Sequence, residues 1–137
     1  MNINNFKASS MQHVSKYRIY YEDTDAGGIV YYANYLKFFE RGRTEYIRSL
    51  GISQEELREK KGITFVVKSC ELNYKSSAKL DDIIRIETEI SRKTKVSVKM
   101  VQKIYKEDDD CVLCEGSFLI VCVNEHKKPS RIPDGIL

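Results

Sequence analysis

Asp23 and Asp25 stand two residues apart in the run Glu22-Asp23-Thr24-Asp25-Ala26-Gly27-Gly28-Ile29-Val30. A carboxylate can attack an acyl carbon, take a proton from water or hold a metal ion. The two glycines behind the pair permit a bend closed to other residues. An aromatic-rich stretch with helical spacing then begins at Tyr31. The start of a helix carries backbone amides with no partner of their own and a partial positive charge. A carboxylate beside such amides suits acyl transfer, because electron density gathering on a carbonyl oxygen is stabilised there.

Other chemistries compete for the same residues. Aspartates in turns bond neighbouring amides, which accounts for an Asp-x-Asp sequence without any catalysis; Asp23 is read that way. A metal site would need a third cluster of ligands, and none accompanies the pair. Hydrolases that form an aspartyl-phosphate carry Asp-x-Asp after a buried parallel strand. Here the preceding residues alternate and include Arg18 and Glu22, which argues against that fold.

The elements that must hold the pair follow from periodicity. Residues 17–22 alternate, with Tyr17, Ile19 and Tyr21 on one face, and read as a strand. Residues 31–50 have helical spacing, with Tyr32, Tyr35, Leu36, Phe39, Tyr46, Ile47 and Leu50 on one stripe. Gly51 is placed to stop that helix, and Ser53 with Glu56 forms a capping-box pattern for a short helix to about Lys61. Four strand-like runs follow at 63–75, 82–92, 96–105 and 111–123. The last is apolar on both faces near its end, as expected inside a sheet. Short links between late strands favour antiparallel pairing. The economical solution is an α+β domain, a curved antiparallel β-sheet wrapped around one long α-helix. Gly42 inside the helix calls for close approach of the sheet. Residues 15–126 read as one domain, 1–14 as a flexible segment, and 127–137, with Pro129 and Pro133, as an irregular tail.

Bulk properties narrow the class. With 137 residues, 42% hydrophobic and 31% charged, the chain fits one domain with an ordinary core. A net charge of +3 is too small an excess for a nucleic-acid partner. No apolar run is long enough to span a membrane and the N-terminus lacks a secretory signal, so a cytoplasmic protein without a transmembrane segment is expected. Cys70, Cys111, Cys114 and Cys122 are read as buried small hydrophobes. Cys111 and Cys114 have the spacing of a metal or redox pair. In a strand, however, positions three apart point to opposite faces, and His13 and His126 lie near the chain ends. No metal is expected.

Residues 23–31, followed by Ala33-Asn34-Tyr35, resemble the signature of the 4-hydroxybenzoyl-CoA thioesterase family of hot-dog-fold enzymes. Residues 20–28, Phe39-Glu40-Arg41, Arg43-Thr44-Glu45, Phe65-Val66-Val67 and Leu80-Asp81-Asp82 resemble more narrowly the bacterial acyl-CoA thioesterases associated with the Tol–Pal cell-envelope system. The resemblance runs from about Tyr17 to Val123. It implies a hot-dog fold and hydrolysis of acyl-CoA, with no cofactor because coenzyme A is part of the substrate. It implies Asp25 as the catalytic carboxylate, nucleophile or general base, and the backbone amide of Tyr32 as the group that polarises the thioester carbonyl. Many relatives have His at the position of Tyr32, a difference that leaves a main-chain role intact. Further substrate contacts are implied at Gly28 and Val30. Arg92, Lys93 and Lys95, in the basic turn 91–95, become candidates for the phosphates of coenzyme A, against the alternative of a solvated hairpin tip. The resemblance also implies a homo-oligomer, a dimer or a tetramer of two dimers, in which sheets pair edge to edge and both chains contribute to each site. Two other functions stand beside this one. A non-catalytic module could bind acyl-CoA or dock to envelope-division proteins. A thioester dehydratase of the same fold would need a histidine with a carboxylate, and neither histidine lies where such a site would need it.

Overall fold

The computed structural model describes residues 12–137. Five strands form one antiparallel sheet in the order β1-β3-β4-β5-β2. They are β1 (His13–Arg18), β2 (Thr64–Tyr74), β3 (Ile83–Lys93), β4 (Ser97–Lys106) and β5 (Val112–Val123). Helix α1 (Asn34–Ser49) and the short α2 (Gln54–Lys61) lie between β1 and β2 in the chain. This is the hot-dog arrangement expected from the sequence. The run 111–123, apolar on both faces, is flanked on both sides as β5, between β4 and β2.

Alternation supplies the core. Ile84, Ile86 and Thr88 of β3, then Val98, Met100, Gln102 and Ile104 of β4, point inward and are buried. Phe118, Ile120 and Cys122 of β5 continue that face. Burying each large apolar side chain contributes about 1.5–3 kcal/mol. Helix α1 answers with Tyr35, Phe38, Phe39, Gly42, Arg43, Tyr46 and Ile47, all buried. This stripe differs from the expected one: Tyr32, Leu36 and Leu50 are exposed, while Phe38 and Arg43 turn inward. Positions 35, 38, 39, 42, 43, 46 and 47 follow the helical repeat, and Arg43 had been hidden from the apolar pattern by its charge.

Gly42 is where helix and sheet come closest. A Cβ there would stand 2.9 Å from Gln102 Nε2, 2.9 Å from Ile86 Cγ2 and 3.2 Å from Thr88 Oγ1. The Gln102 amide donates 2.9 Å bonds to the Phe39 carbonyl and to the Thr88 hydroxyl, and its Oε1 accepts from Arg43 at 3.0 Å. A polar network therefore ties α1 to β3 and β4 across the apolar layer.

Two boundaries move. The first strand ends at Arg18, and Tyr21–Asp23 is a 3-10 turn, so Tyr21 is exposed where strand alternation would have put it beside Ile19. The Asp23 carboxylate accepts the Tyr20 amide at 2.8 Å, and that local bond diverts the backbone from the sheet. At the other end, β1 begins inside the segment read as flexible, since His13 and Val14 pair with Thr88 and Glu87. Residues 1–11 of that segment lie outside the described residues. The Ser53 hydroxyl accepts the Glu56 amide at 3.2 Å and opens α2 as the sequence indicated. Beyond β5, the chain folds back so that Ile132 is buried and its amide donates to the Lys95 carbonyl at 2.8 Å.

Candidate active site

Residues 23–31 form a clasp rather than an open loop. Thr24 and Val30 make an antiparallel bridge, and the Asp25 amide donates to the Ile29 carbonyl at 2.9 Å. The tip is a turn in which the Gly28 amide returns to the Asp25 carbonyl at 3.0 Å. Gly28 has φ +81, a left-handed conformation that favours glycine, and nothing lies within 4 Å of where a Cβ would be. The second arm is anchored inside: Val30 is buried and its amide donates to the Ala78 carbonyl at 2.9 Å. Val30 thus holds the clasp onto the core, while Gly28 presents bare backbone to open space.

The two aspartates have different parts. Asp23 is consumed by structure. Its carboxylate takes the Tyr20 amide, and its carbonyl accepts both the Tyr31 amide at 3.0 Å and Asn34 Nδ2 at 2.9 Å. Asp25 is exposed in the single chain, and its Oδ1 accepts the Gly27 amide at 2.8 Å. Among the described residues Oδ2 has no partner. One oxygen orients the carboxylate and the other is available.

The helix start differs from expectation in a way that matters. The first helical residue is Asn34, so Tyr32 lies in the turn leading into α1. The amides of Asn34, Tyr35 and Leu36 donate to the carbonyls of Tyr31, Tyr32 and Ala33. The Tyr31 amide is spent on Asp23. Among the described residues, the amides of Tyr32 and Ala33 have no acceptor. Free donors at the positive end of a helix can receive a developing oxyanion. The Tyr32 side chain is exposed and packs edge-on against Tyr31 and Tyr74, with ring centroids 5.1 and 5.9 Å away.

The basic turn is elsewhere in the same chain. The clasp meets residues 78 and 79, just before β3, whereas Lys93 ends that strand. Eleven residues at about 3.3 Å each put roughly 30 Å between these ends. Arg92 lines a groove of about 500 Å³ on the outer face of the sheet, with Ser69, Glu71, Lys99 and Ser117. Lys93 donates to the carbonyls of Ile136 and Leu137 at 3.3 and 2.6 Å. Lys95 lies with Lys93 in a second groove of about 400 Å³, closed by Arg131 and Asp134. The structure therefore brings Asp25, Gly28 and Tyr32 together and places the three basic residues apart from them, on two surfaces.

Comparison with known proteins places the fold and the family. Residues 20–137 match the family model described as the thioesterase-like superfamily. The chain belongs to that superfamily. It is 43% identical over 117 residues to the acyl-CoA thioesterase YbgC of Haemophilus influenzae, covering 85% of each chain. It is 41% identical over 121 residues to the acyl-CoA thioester hydrolase YbgC of Escherichia coli, covering 88% of this chain and 89% of that one. The crystal structure of a probable thioesterase from Bartonella henselae superposes with a TM-score of 0.84 at 37% identity, covering 89% of this chain and 99% of the other.

For this thioesterase-like chain, three parts of the surroundings were not legible as site components. Tyr74, at the end of β2, packs against both Tyr32 and Tyr35, and the Tyr35 hydroxyl accepts the Ala78 amide at 3.2 Å. Arg43 is buried over the Phe118 ring. A Gln on the apolar face of β4 was the one sequence signal of that polar network. The cysteines also divide: Cys114 and Cys122 are buried, and burial pushes the Cys114 thiol up to about 12, but Cys70 and Cys111 are exposed. Cys70 sits on a strand at the open edge of the sheet and Cys111 just before β5, so neither is covered within this chain. All four are free thiols. No group of metal-binding side chains occurs among the described residues, and no helix there is long and apolar enough to cross a membrane.

Proposed function

We infer that the protein hydrolyses acyl-CoA thioesters, with Asp25 as the catalytic carboxylate and the Tyr32 amide as donor to the carbonyl oxygen. The observation that carries this reading is the clasp: among the described residues, a carboxylate oxygen without a partner is on one arm, and unpaired amides are where the other arm enters α1. The names of the Haemophilus influenzae and Escherichia coli relatives supply the substrate class.

The chemistry needs little else. A thioester has a good leaving group, so the thiolate departs without a strong acid to protonate it. Either an Asp25 oxygen attacks the carbonyl carbon, giving an anhydride that water then opens, or Asp25 removes a proton from an attacking water. In both routes the C–S bond breaks, one water is consumed as the acyl group leaves as the free acid, and the released CoA thiolate takes up a proton. The Tyr32 amide stabilises the oxyanion along the way.

Assembly follows from the separation of the two halves of the site. Edge strand β2 has Val66 and Val67 exposed, at 40% and 47%. An uncovered edge with apolar side chains is a surface for another strand. Tyr74, at one end of β2, touches the Tyr32 turn, while Thr64 at the other end pairs with Val123 near the basic turn. Antiparallel pairing of two β2 strands about a two-fold axis would set the clasp of one chain near the basic turn of the other. Gly28 then borders the acyl group, and Arg92, Lys93 and Lys95 meet the CoA phosphates from the partner. A tetramer of two such dimers and a link to the Tol–Pal system rest on the resemblance alone.

The test is thiol release from short-chain, long-chain and aromatic acyl-CoAs by the purified chain. Release from any of them, with free acid formed in equal amount, supports the hydrolase. Tight binding of every ester without release would favour the binding module.

A further inference from the structure

Arg43 is 8% exposed, yet no carboxylate pairs with it among the described residues. Its guanidinium lies 4.2 Å from the centroid of Phe118 and donates once, to Gln102 Oε1. A buried guanidinium has five donors and strongly favours an anionic or acceptor-rich partner. Burial depresses its basicity, with Glu40 and Cys70 opposing that shift from nearby.

The position of Cys70 shows where the free edge of Arg43 looks. Cys70 is the register partner of Phe118, so both side chains are on the face toward α1, but Cys70 is exposed. On the same face of β2, Val67 and Tyr74 are each 47% exposed. Helix α1 packs chiefly over β1 and β3, so that β2, at the far edge of the sheet, keeps a strip of exposed side chains at Val67, Cys70 and Tyr74. The strip runs toward the clasp: Tyr74 touches Tyr32 and Tyr35, and Tyr35, Phe39 and Arg43 follow one another at four-residue steps along one helix face. Long helical side chains lean toward the N-terminus. Accordingly the Arg43 guanidinium reaches Phe118, whose ring also packs against Phe39 at 5.3 Å.

We propose that Arg43 determines acyl specificity by receiving a carboxylate at the far end of the acyl group, so that dicarboxylic monothioesters of CoA are the preferred substrate class. This rests on the hydrolase reading for the position of the thioester, at Tyr32. Phe39 lies seven positions beyond Tyr32, five of them steps within α1, which puts the two roughly 10 Å apart. An extended carbon chain advances about 1.25 Å per bond, which suits acyl groups of roughly five to eight carbons.

The test compares non-hydrolysable CoA thioethers of five, six and eight carbons that end in either a carboxylate or a methyl group. Their dissociation constants are measured by calorimetry, and thiol release is followed in parallel from glutaryl-, adipoyl- and suberoyl-CoA and their monocarboxylic counterparts. The wild-type chain should bind a carboxylate-ended thioether at least about tenfold more tightly than its methyl partner. Arg43→Gln should bring that ratio near one, and Arg43→Lys should retain part of it; unchanged thermal unfolding establishes that each variant is folded. Equal wild-type affinities would overturn the proposal without any variant being needed. So would a preference that persists in folded Arg43→Gln. A Kd preference lost in Arg43→Gln, with no thiol released from any ester, supports Arg43 and overturns the hydrolase reading instead.

Discussion

Oδ1 of Asp25 accepts the amide of Gly27, two residues along its own turn, at 2.8 Å. This bond aims the carboxylate and leaves Oδ2 for chemistry. It depends on the conformation of Gly28, at φ +81. Gly28→Ala meets no steric obstacle but forces an L-residue into left-handed space, at a cost of about 1–2 kcal/mol. The chain should fold, with melting lowered by several degrees, and kcat should fall at least about tenfold as the carboxylate shifts. Thiol-release kinetics beside a thermal melt check this. An unchanged kcat would show that the turn does not set the geometry of Asp25.

Gly42→Ala should destabilise the fold although alanine is the better helix former. The new methyl would stand 2.9 Å from Gln102 Nε2 and from Ile86 Cγ2. Overpacking costs about 1–3 kcal/mol and the propensity gain returns about 1 kcal/mol. A net loss of up to about 2 kcal/mol in urea unfolding is expected. A stabilised variant would mean that the sheet yields easily at this contact.

Arg92→Glu and Lys95→Glu should raise KM for acyl-CoA and leave it nearly unchanged for the same acyl group on pantetheine, which lacks the nucleotide. Lys93→Glu should do the same and also loosen the C-terminal residues, because Lys93 holds the carbonyls of Ile136 and Leu137. Steady-state kinetics on both thioesters check the split. Equal changes on the two would remove these residues from nucleotide binding.

Val67→Lys puts a charge on the open edge strand, where Val67 is 47% exposed. Light scattering should show a lower mass, and activity should fall with it, because one chain keeps its clasp and its basic turn at opposite ends of β3. A fully active monomer would contradict a site shared between chains.

The element order was readable because the late strands alternate cleanly and α1 carries a strong stripe; Gly42 even announced the close contact with the sheet. The misread boundaries have local causes. Tyr20–Glu22 looks extended by alternation, but the Asp23 carboxylate captures the Tyr20 amide and turns the chain. Tyr32 has the spacing of a helical residue, yet the helix begins two residues later because the Tyr31 amide is bound to Asp23. Arg43 was illegible in the core pattern, since periodicity counts apolar residues; Gln102 stood on the apolar face of β4, but no local pattern showed that it accepts from Arg43. The separation of the basic turn from Asp25 depends on strand direction and length, which no local pattern encodes.

The central claim is that the Asp25 carboxylate does the chemistry. Single-turnover hydrolysis of a reactive acyl-CoA by Asp25→Asn, beside its melting temperature and its affinity for a non-hydrolysable CoA thioether, tests it most directly. The rate should drop at least about 10²–10³-fold, corresponding to about 3–4 kcal/mol or more, while melting and affinity stay near wild type. Hydrolysis within a few-fold of wild type would contradict the account.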